Sequence, residues 1–110
     1  MAVSSPFTPT GNTVTFTANT SAPSAVQAVS TTLGGNQYRV VNAGTVVAFL
    51  GFGQSQTAAQ NNAVVVSTTA ISLPMLPGTD EIITFAPNAW FTAITSSGTA
   101  TIYVTPGDGD

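Results

Sequence analysis

The side chains that could carry out acid–base or nucleophilic chemistry are few in this sequence. Its 110 residues include no histidine, cysteine or lysine, and the one arginine, Arg39, stands against four carboxylates. Two of these, Asp80 and Glu81, are adjacent. Adjacent side chains of a strand point to opposite faces, so this pair is poorly placed for joint acid–base catalysis. We interpret it as the solvated start of a strand, with which Arg39 can form an exposed ion pair.

Metal binding and nucleophilic catalysis lack the partners that they need. Asp108 and Asp110 resemble the start of a calcium loop, but such a loop requires further oxygen ligands and a closing glutamate, which do not follow here. Serine and threonine hydroxyls are abundant, yet a hydroxyl nucleophile needs an activating base, and no histidine or lysine is present. The sequence therefore predicts a protein that is not an enzyme and that has no cofactor and no metal site.

The low charge argues against two classes of partner. Only 5% of the residues are charged, against about 25% in an average soluble domain. Nucleic-acid-binding proteins displace phosphate counterions with several lysines or arginines, and anionic membranes attract clusters of the same residues. One arginine can do neither, so we expect no nucleic acid and no membrane as a partner. No stretch resembles a secretory signal or a membrane span, so we expect a protein kept in the cytoplasm or built into something assembled there.

Short β-prone segments with frequent turns predict the fold. Along residues 12–18, Val14, Phe16 and Ala18 fall on one face and threonines on the other, and residues 99–105 alternate in the same way. Glycine, proline and asparagine separate these and other runs. The sequence predicts an all-β protein, an antiparallel β-sandwich of eight or nine short strands. The strand count suits a jelly roll best, although periodicity does not distinguish it from an immunoglobulin-like sandwich.

The sequence also predicts the limits of the domain. Residues 1–11 contain two prolines and no alternation, which indicates an extended N-terminal arm. Residues 12–105 form the sandwich, and residues 106–110 form a short acidic C-terminal tail.

Two connections and a core are predicted within the sandwich. Residues 54–62 are the one stretch that tolerates a helix, and we interpret them as a polar loop that can contain one helical turn. Ser97 and Gly98 join two runs tightly enough to close a hairpin. The residues expected in the core are Val14, Phe16, Leu50, Phe52, Phe85, Ile102 and Val104.

Two of the predicted strands are apolar on both faces. Residues 45–52 and residues 89–96 carry large apolar side chains at even and at odd positions, whereas one face of a sandwich strand is normally wet. The second face is either covered by loops or by the arm, or it packs on another protein, as large apolar patches and charge-depleted interfaces usually do. For the second case the candidate partner-interface residues are Phe7, Arg39, Val47, Phe49, Trp90 and Phe91.

Aromatic side chains offer a rival interpretation. Trp90, Tyr38 and Tyr103 could stack on a glycan, and residues 54–62 supply glutamine and asparagine amides that could bind sugar hydroxyls. The alternative is that Trp90 lies in the core or at a protein interface.

One segment carries a resemblance to known proteins. Residues 76–109 combine a Pro-Gly turn, a strand, a Pro-Asn turn and two further runs that end in a second Pro-Gly. This pattern resembles the small β-rich virion proteins of tailed bacteriophages, in particular capsid decoration (cement) proteins.

The resemblance implies a role that composition alone does not. Such a protein is jelly-roll-like and binds the outside of a phage capsid, where it stabilises the capsid by bridging capsomers. Its partners are the major capsid protein and copies of itself, with which it forms a dimer or trimer. It is then localised in the virion, on the capsid surface, after assembly in the bacterial host cytoplasm. Similar hairpins occur in phage tails and fibres, so a receptor- or glycan-binding β-module is the alternative. No binding residues are transferred from the family.

Overall fold

The computed structural model describes residues 8–30, 37–65 and 72–108, and strands dominate these three segments. β-branched and aromatic residues, which favour strands, recur in most of the strands. The nine strands and the one helix of the described segments are β1 Thr8–Pro9, β2 Val14–Ala18, β3 Val26–Gln27, β4 Gln37–Asn42, β5 Ala48–Gly53, α1 Gln56–Asn62, β6 Ser72–Met75, β7 Asp80–Thr84, β8 Trp90–Ile94 and β9 Ala100–Asp108.

The strands form two antiparallel sheets that enclose one core. In the first sheet, β1 and β2 both pair with one side of β9, β4 pairs with its other side, and β7 pairs with β4. In the second sheet the order is β3-β8-β5-β6. The predicted all-β fold, an antiparallel β-sandwich, is thereby confirmed for the described part of the chain.

Alternation along the strands selects the core residues. Phe16 in β2 and Ile102 in β9 are buried, while the threonines beside Phe16 lie outward. Rings from both sheets meet in the centre, where the Tyr38 and Phe91 centroids are 4.8 Å apart in an edge-to-face arrangement. The predicted core is confirmed, with Phe16, Leu50, Ile102 and Val104 buried and Val14, Phe52 and Phe85 partly buried against them.

The first and last described residues belong to the first sheet. β1 pairs with the end of β9, and Thr10 N–H donates to Pro106 O at 2.9 Å. The prediction of an arm over residues 1–11 and of a tail over residues 106–110 is therefore wrong for the described part of both. Backbone pairing extends beyond the segment in which side chains alternate, so the pattern could not show it. The remaining residues of the two segments lie outside the described part.

Helix α1 occupies the helix-tolerant segment, whose sequence indicates a polar loop able to contain one helical turn. Ser55 caps the helix, since its Oγ accepts a hydrogen bond from Ala58 N–H at 3.1 Å. The helix lies against β5, where Gly51 and Gly53 leave no side chain between strand and helix. The loop prediction is wrong because short helices are stabilised mainly by tertiary packing, which a polar run does not reveal.

The connection from β8 to β9 is a corner between the sheets. β8 pairs with β3 and β5, whereas β9 pairs with β1, β2 and β4. The predicted hairpin at Ser97 and Gly98 is therefore wrong. Gly98 has φ 76°, and Thr95 Oγ1 donates to Gly98 O at 2.7 Å, so the chain does turn tightly here. Turn residues indicate a reversal of direction but not the sheet that each flanking strand joins.

Candidate interaction surface

The outer face of the second sheet is where the two-faced strands lie. Leu50 and Ala93 point into the core, so the residues next to them in each strand point outward. On that outer face, Phe49 of β5 is directly opposite Pro74 of β6 and Ile94 of β8. Three apolar side chains thus form one row across three neighbouring strands.

Helix α1 covers one half of this outer face. A Cβ at Gly51 would lie 2.3 Å from the backbone nitrogen of Ala63, and a Cβ at Gly53 would lie 2.6 Å from Cβ of Ala58. Thr92, opposite Gly51 on β8, is fully buried. The helical segment rests directly on the strands here, so the part of the face over Gly51, Gly53 and Thr92 is closed to a partner.

The half of the face away from α1 is apolar and partly exposed. Its row of Phe49, Pro74 and Ile94 is extended at the adjoining corner by Val47, which precedes β5, and by Leu76, which follows β6 and is 60% exposed. Pro74 is exposed, and Val47, Phe49 and Ile94 are half-buried. We refer to these five residues as the apolar patch. A patch of this kind is typical of a site that contacts another protein.

A buried asparagine fixes the corner that carries the patch. Asn42 is fully buried, and its Nδ2 donates to Val46 O at 3.0 Å and to Met75 O at 2.8 Å. These two carbonyls belong to the residues immediately before the patch residues of the corner. The side chain therefore ties the segment that leads into β5 to the end of β6, and it holds both parts of the patch in one arrangement.

Two of the sequence-predicted interface residues come together in the patch. Val47 and Phe49 are both members of it. Trp90 lies on the same outer face but at its opposite end, where it is half-buried and directly opposite Gly53. Since α1 rests on the face between them, Trp90 and the patch are separate surfaces. That any of these residues binds a partner stays a prediction.

Phe91 requires a correction, and Phe7 lies outside the described residues. The Phe91 side chain is fully buried between the sheets, with its ring centroid 6.0 Å from that of Phe52. It cannot contact a partner unless the core opens, so its assignment to an interface is wrong. An apolar run with two apolar faces does not reveal which face points inward, and that is why the sequence pattern failed here.

Arg39 lies on the outer face of the first sheet, away from the patch. Its Nε donates to Asp80 Oδ2 at 2.9 Å, and both side chains are about half exposed. The predicted ion pair is thereby confirmed. Glu81, the next residue of β7, points to the opposite face of that strand. An exposed pair of this kind contributes only ~0–1 kcal/mol, and it already engages the Nε of the guanidinium within the chain.

The aromatic side chains do not form one glycan platform. Tyr38 is fully buried, and its hydroxyl donates to Ala86 O and accepts from Ala89 N–H at 3.0 Å. Burial raises the pKa of this phenol, and the hydrogen bond from Ala89 lowers it in part. Tyr38 presents no ring to a ligand, so that prediction is wrong. Tyr103 is 42% exposed, but it lies on the first sheet, whereas Trp90 lies on the second.

Three patch residues carry little signal in the sequence. Ile94 lies in a strand that is apolar on both faces, so the sequence does not reveal that it points outward. Pro74 and Leu76 lie in a segment without alternation, and only the pairing of β6 with β5 places them beside Phe49 and Val47. Such cross-strand neighbours are not visible in a single sequence.

Neither other types of site nor comparisons with known proteins indicate a function. Within residues 8–30, 37–65 and 72–108, no group of three or more acidic side chains could hold a metal ion, and no helix is long and apolar enough to cross a membrane. No protein-family model matches the chain, and comparisons with curated proteins and with solved structures give no significant match. The function has to be argued from the surfaces of the sandwich.

Proposed function

We propose that this chain is a structural virion protein that binds the outside of a phage capsid and stabilises it by bridging capsomers. The observation that carries the proposal is the apolar patch, which lies on a regular sheet face of a protein with only five charged side chains. The resemblance of residues 76–109 to capsid decoration proteins supplies the class of scaffold, with the major capsid protein as partner. Under this proposal the protein resides on the capsid surface and has no catalytic activity.

The jelly-roll assignment is part of the same proposal. The strands β2-β9-β4-β7 face the strands β3-β8-β5-β6, and among these eight strands every consecutive pair except β5 and β6 lies in different sheets. Eight strands that cross between two sheets in this way are what a jelly roll contains, and the fold is common in viral capsid domains. The observed order therefore supports both the topology and the virion role.

Apolar contact is the interaction that this surface can supply. Arg39 and Asp80 already pair with each other, so few charges remain for a partner. Apolar burial yields about 25 cal/mol per Å² before the costs of association. A standard interface buries about 800 Å² on each partner. The patch would form the centre of such an interface, with backbone, serine and threonine groups hydrogen bonding around it.

A substitution at Leu76 tests the patch with little risk to the fold, because this side chain is 60% exposed. Full burial of a leucine contributes about 1.5–3 kcal/mol. Leu76→Gln should therefore weaken binding to purified capsids by about tenfold or more. The matched control is Val29→Gln, at a position 47% exposed outside the patch, which should bind like the wild type. Co-sedimentation with capsids measures both, and wild-type binding by Leu76→Gln would contradict the proposal.

Salt and chelator provide a second test. Exposed charges are screened over about 8 Å at physiological ionic strength, whereas apolar contacts are not weakened by salt. The protein should stay on capsids across a salt series, with and without EDTA. Release by moderate salt would show that the contact is electrostatic, and release by EDTA would show that acidic residues bind through a metal ion.

A receptor- or glycan-binding module of a phage tail or fibre is the second candidate, and Trp90 favours it. The half-buried Trp90 lies directly opposite Gln27, whose Nε2 donates to Asn88 O at 3.0 Å. A partly exposed ring beside an amide can stack on a sugar and bind its hydroxyls. Glycan-array binding that is lost in Trp90→Ala and kept in Leu76→Gln would support this candidate. Capsid binding that Leu76→Gln weakens and Trp90→Ala does not would support the first.

A further inference from the structure

The open edge of the first sheet is a second surface that can join two proteins. β7 pairs with β4 on one side, and in the described part of the chain no strand pairs with its other side. Four of its five side chains are exposed, among them Ile82 at 38%. An unpaired edge strand presents a row of backbone donors and acceptors that a further strand can bind.

The other sheet edges are poorer templates for a further strand. β1 and β3 have two residues each, and β6 contains Pro74, which cannot donate a backbone hydrogen bond. β2 has five residues, but the chain continues into Asn19, which bridges Ile94 of the second sheet. The sandwich is thus closed along the β2 side. β7 combines five residues, no proline and an open side.

We infer that β7 pairs antiparallel with the β7 of a second copy, about a two-fold axis that passes through Ile82. This register overlaps all five residues and joins the first sheets of the two copies into one continuous sheet. It places Asp80 opposite the second copy's Thr84.

The arrangement of charge along β7 favours this register. With Ile82 on the axis, Glu81 faces the second copy's Ile83, so no two carboxylates are directly opposite. With Glu81 on the axis, the two glutamates would face each other, which is unfavourable. The carboxylate of Asp80 is also paired with Arg39 of its own chain. The strand therefore accepts a copy of itself without placing like charges together.

Two opposite charge substitutions at Ile82 test the axis. Ile82→Glu and Ile82→Lys each place two like charges directly opposite, so each variant should dimerise at least about tenfold more weakly than the wild type. An equimolar mixture of the two variants should recover the dimer, because opposite charges then meet. Ile82→Glu is compatible with the fold, since Arg39 is its cross-strand neighbour within the chain. The matched control is Thr17→Glu, exposed on β2 at the far edge of the same sheet, which should dimerise normally.

Sedimentation equilibrium over a wide concentration range measures these outcomes in solution, without capsids. A wild-type chain that stays monomeric overturns the inference. A dimer that Ile82→Glu leaves intact, or a mixture that does not recover, also overturns it. The pairing does not depend on the apolar patch, which lies on the other sheet. Leu76→Gln should therefore dimerise like the wild type, so failure of the pairing and failure of the proposed function are distinguishable.

Hydrogen exchange gives an independent readout of the same contact. β7 amides that point away from β4 should exchange more slowly as the wild-type concentration rises, and amides of β2 should not change. In Ile82→Glu the concentration dependence should disappear. Concentration-independent exchange of all β7 amides in the wild type would overturn the inference.

Discussion

Replacing Asn42 by aspartate tests how the corner beneath the apolar patch is held. The asparagine Nδ2 donates to the carbonyl oxygens of Val46 and Met75, at 3.0 and 2.8 Å, and Oδ1 accepts from Gly44 N–H at 2.9 Å. In Asn42→Asp an oxygen replaces Nδ2 and faces both carbonyls in a fully buried site. Burial and the two facing carbonyls disfavour the ionised carboxyl, so its pKa in the folded state is raised above the ordinary value of about 3.9.

The raised pKa determines how stability changes with pH. The variant is most stable below about pH 4, where the carboxyl is protonated in the folded and the unfolded state. Its unfolding free energy then falls by about 1.36 kcal/mol per pH unit until the pH reaches the folded-state pKa. Because buried carboxyls are raised by as much as about 3–5 units, about 4 kcal/mol is lost by neutral pH. That is a large share of the about 5–15 kcal/mol that stabilises a domain.

Urea unfolding of the variant and the wild type at about pH 4 and at neutral pH measures this loss. The difference between the two proteins should be about 4 kcal/mol larger at neutral pH. Asn12→Asp, in an exposed position, is the matched control and should follow the wild type at both pH values. A loss in Asn42→Asp that is equal at both pH values would refute the reasoning, because the new carboxyl would then ionise alike in both states.

Three further predictions follow from the fold. Tyr38→Phe should lower the free energy of unfolding by about 1–3 kcal/mol near neutral pH. In the wild type, the raised Tyr38 pKa contributes stability below about pH 10, and this contribution should be lost as the pH rises further. Urea unfolding of the variant should not show this pH-dependent loss. Gly51→Ala should lower the free energy of unfolding by about 1–3 kcal/mol and displace α1, because the new Cβ would meet the helical backbone. Thermal melting measures the first effect, and amide exchange in α1 measures the second. Deleting residues 2–10 removes β1 and should lower the melting temperature relative to a deletion of residues 2–7, which keeps β1; equal melting temperatures of the two variants would contradict this.

Side-chain alternation predicts those elements that have one buried and one wet face. β2 and β9 are of this kind, with Phe16 and Ile102 inside and threonines outside, and the sequence predicts both. α1 and the corner at Gly98 depend instead on contacts between distant segments, which no local pattern contains. The residues of the apolar patch likewise include some that the sequence predicts and some that it does not. Phe49 lies in a predicted strand, whereas Leu76 follows a strand in which apolar and polar residues do not alternate.

The outward positions of β5, together with Val47 just before it, divide the second apolar face of this strand into two different halves. In chain order these positions are Val47, Phe49, Gly51 and Gly53. Glycine stands where the backbone of α1 rests on the strand, and large side chains stand where no described helix rests. Within the described residues, the backbone of the helical segment covers β5 along one half only. The chain's own helix accounts for the glycine half, and under the proposed function a partner covers the half with Val47 and Phe49. Substitutions there should therefore reduce capsid binding without loosening α1.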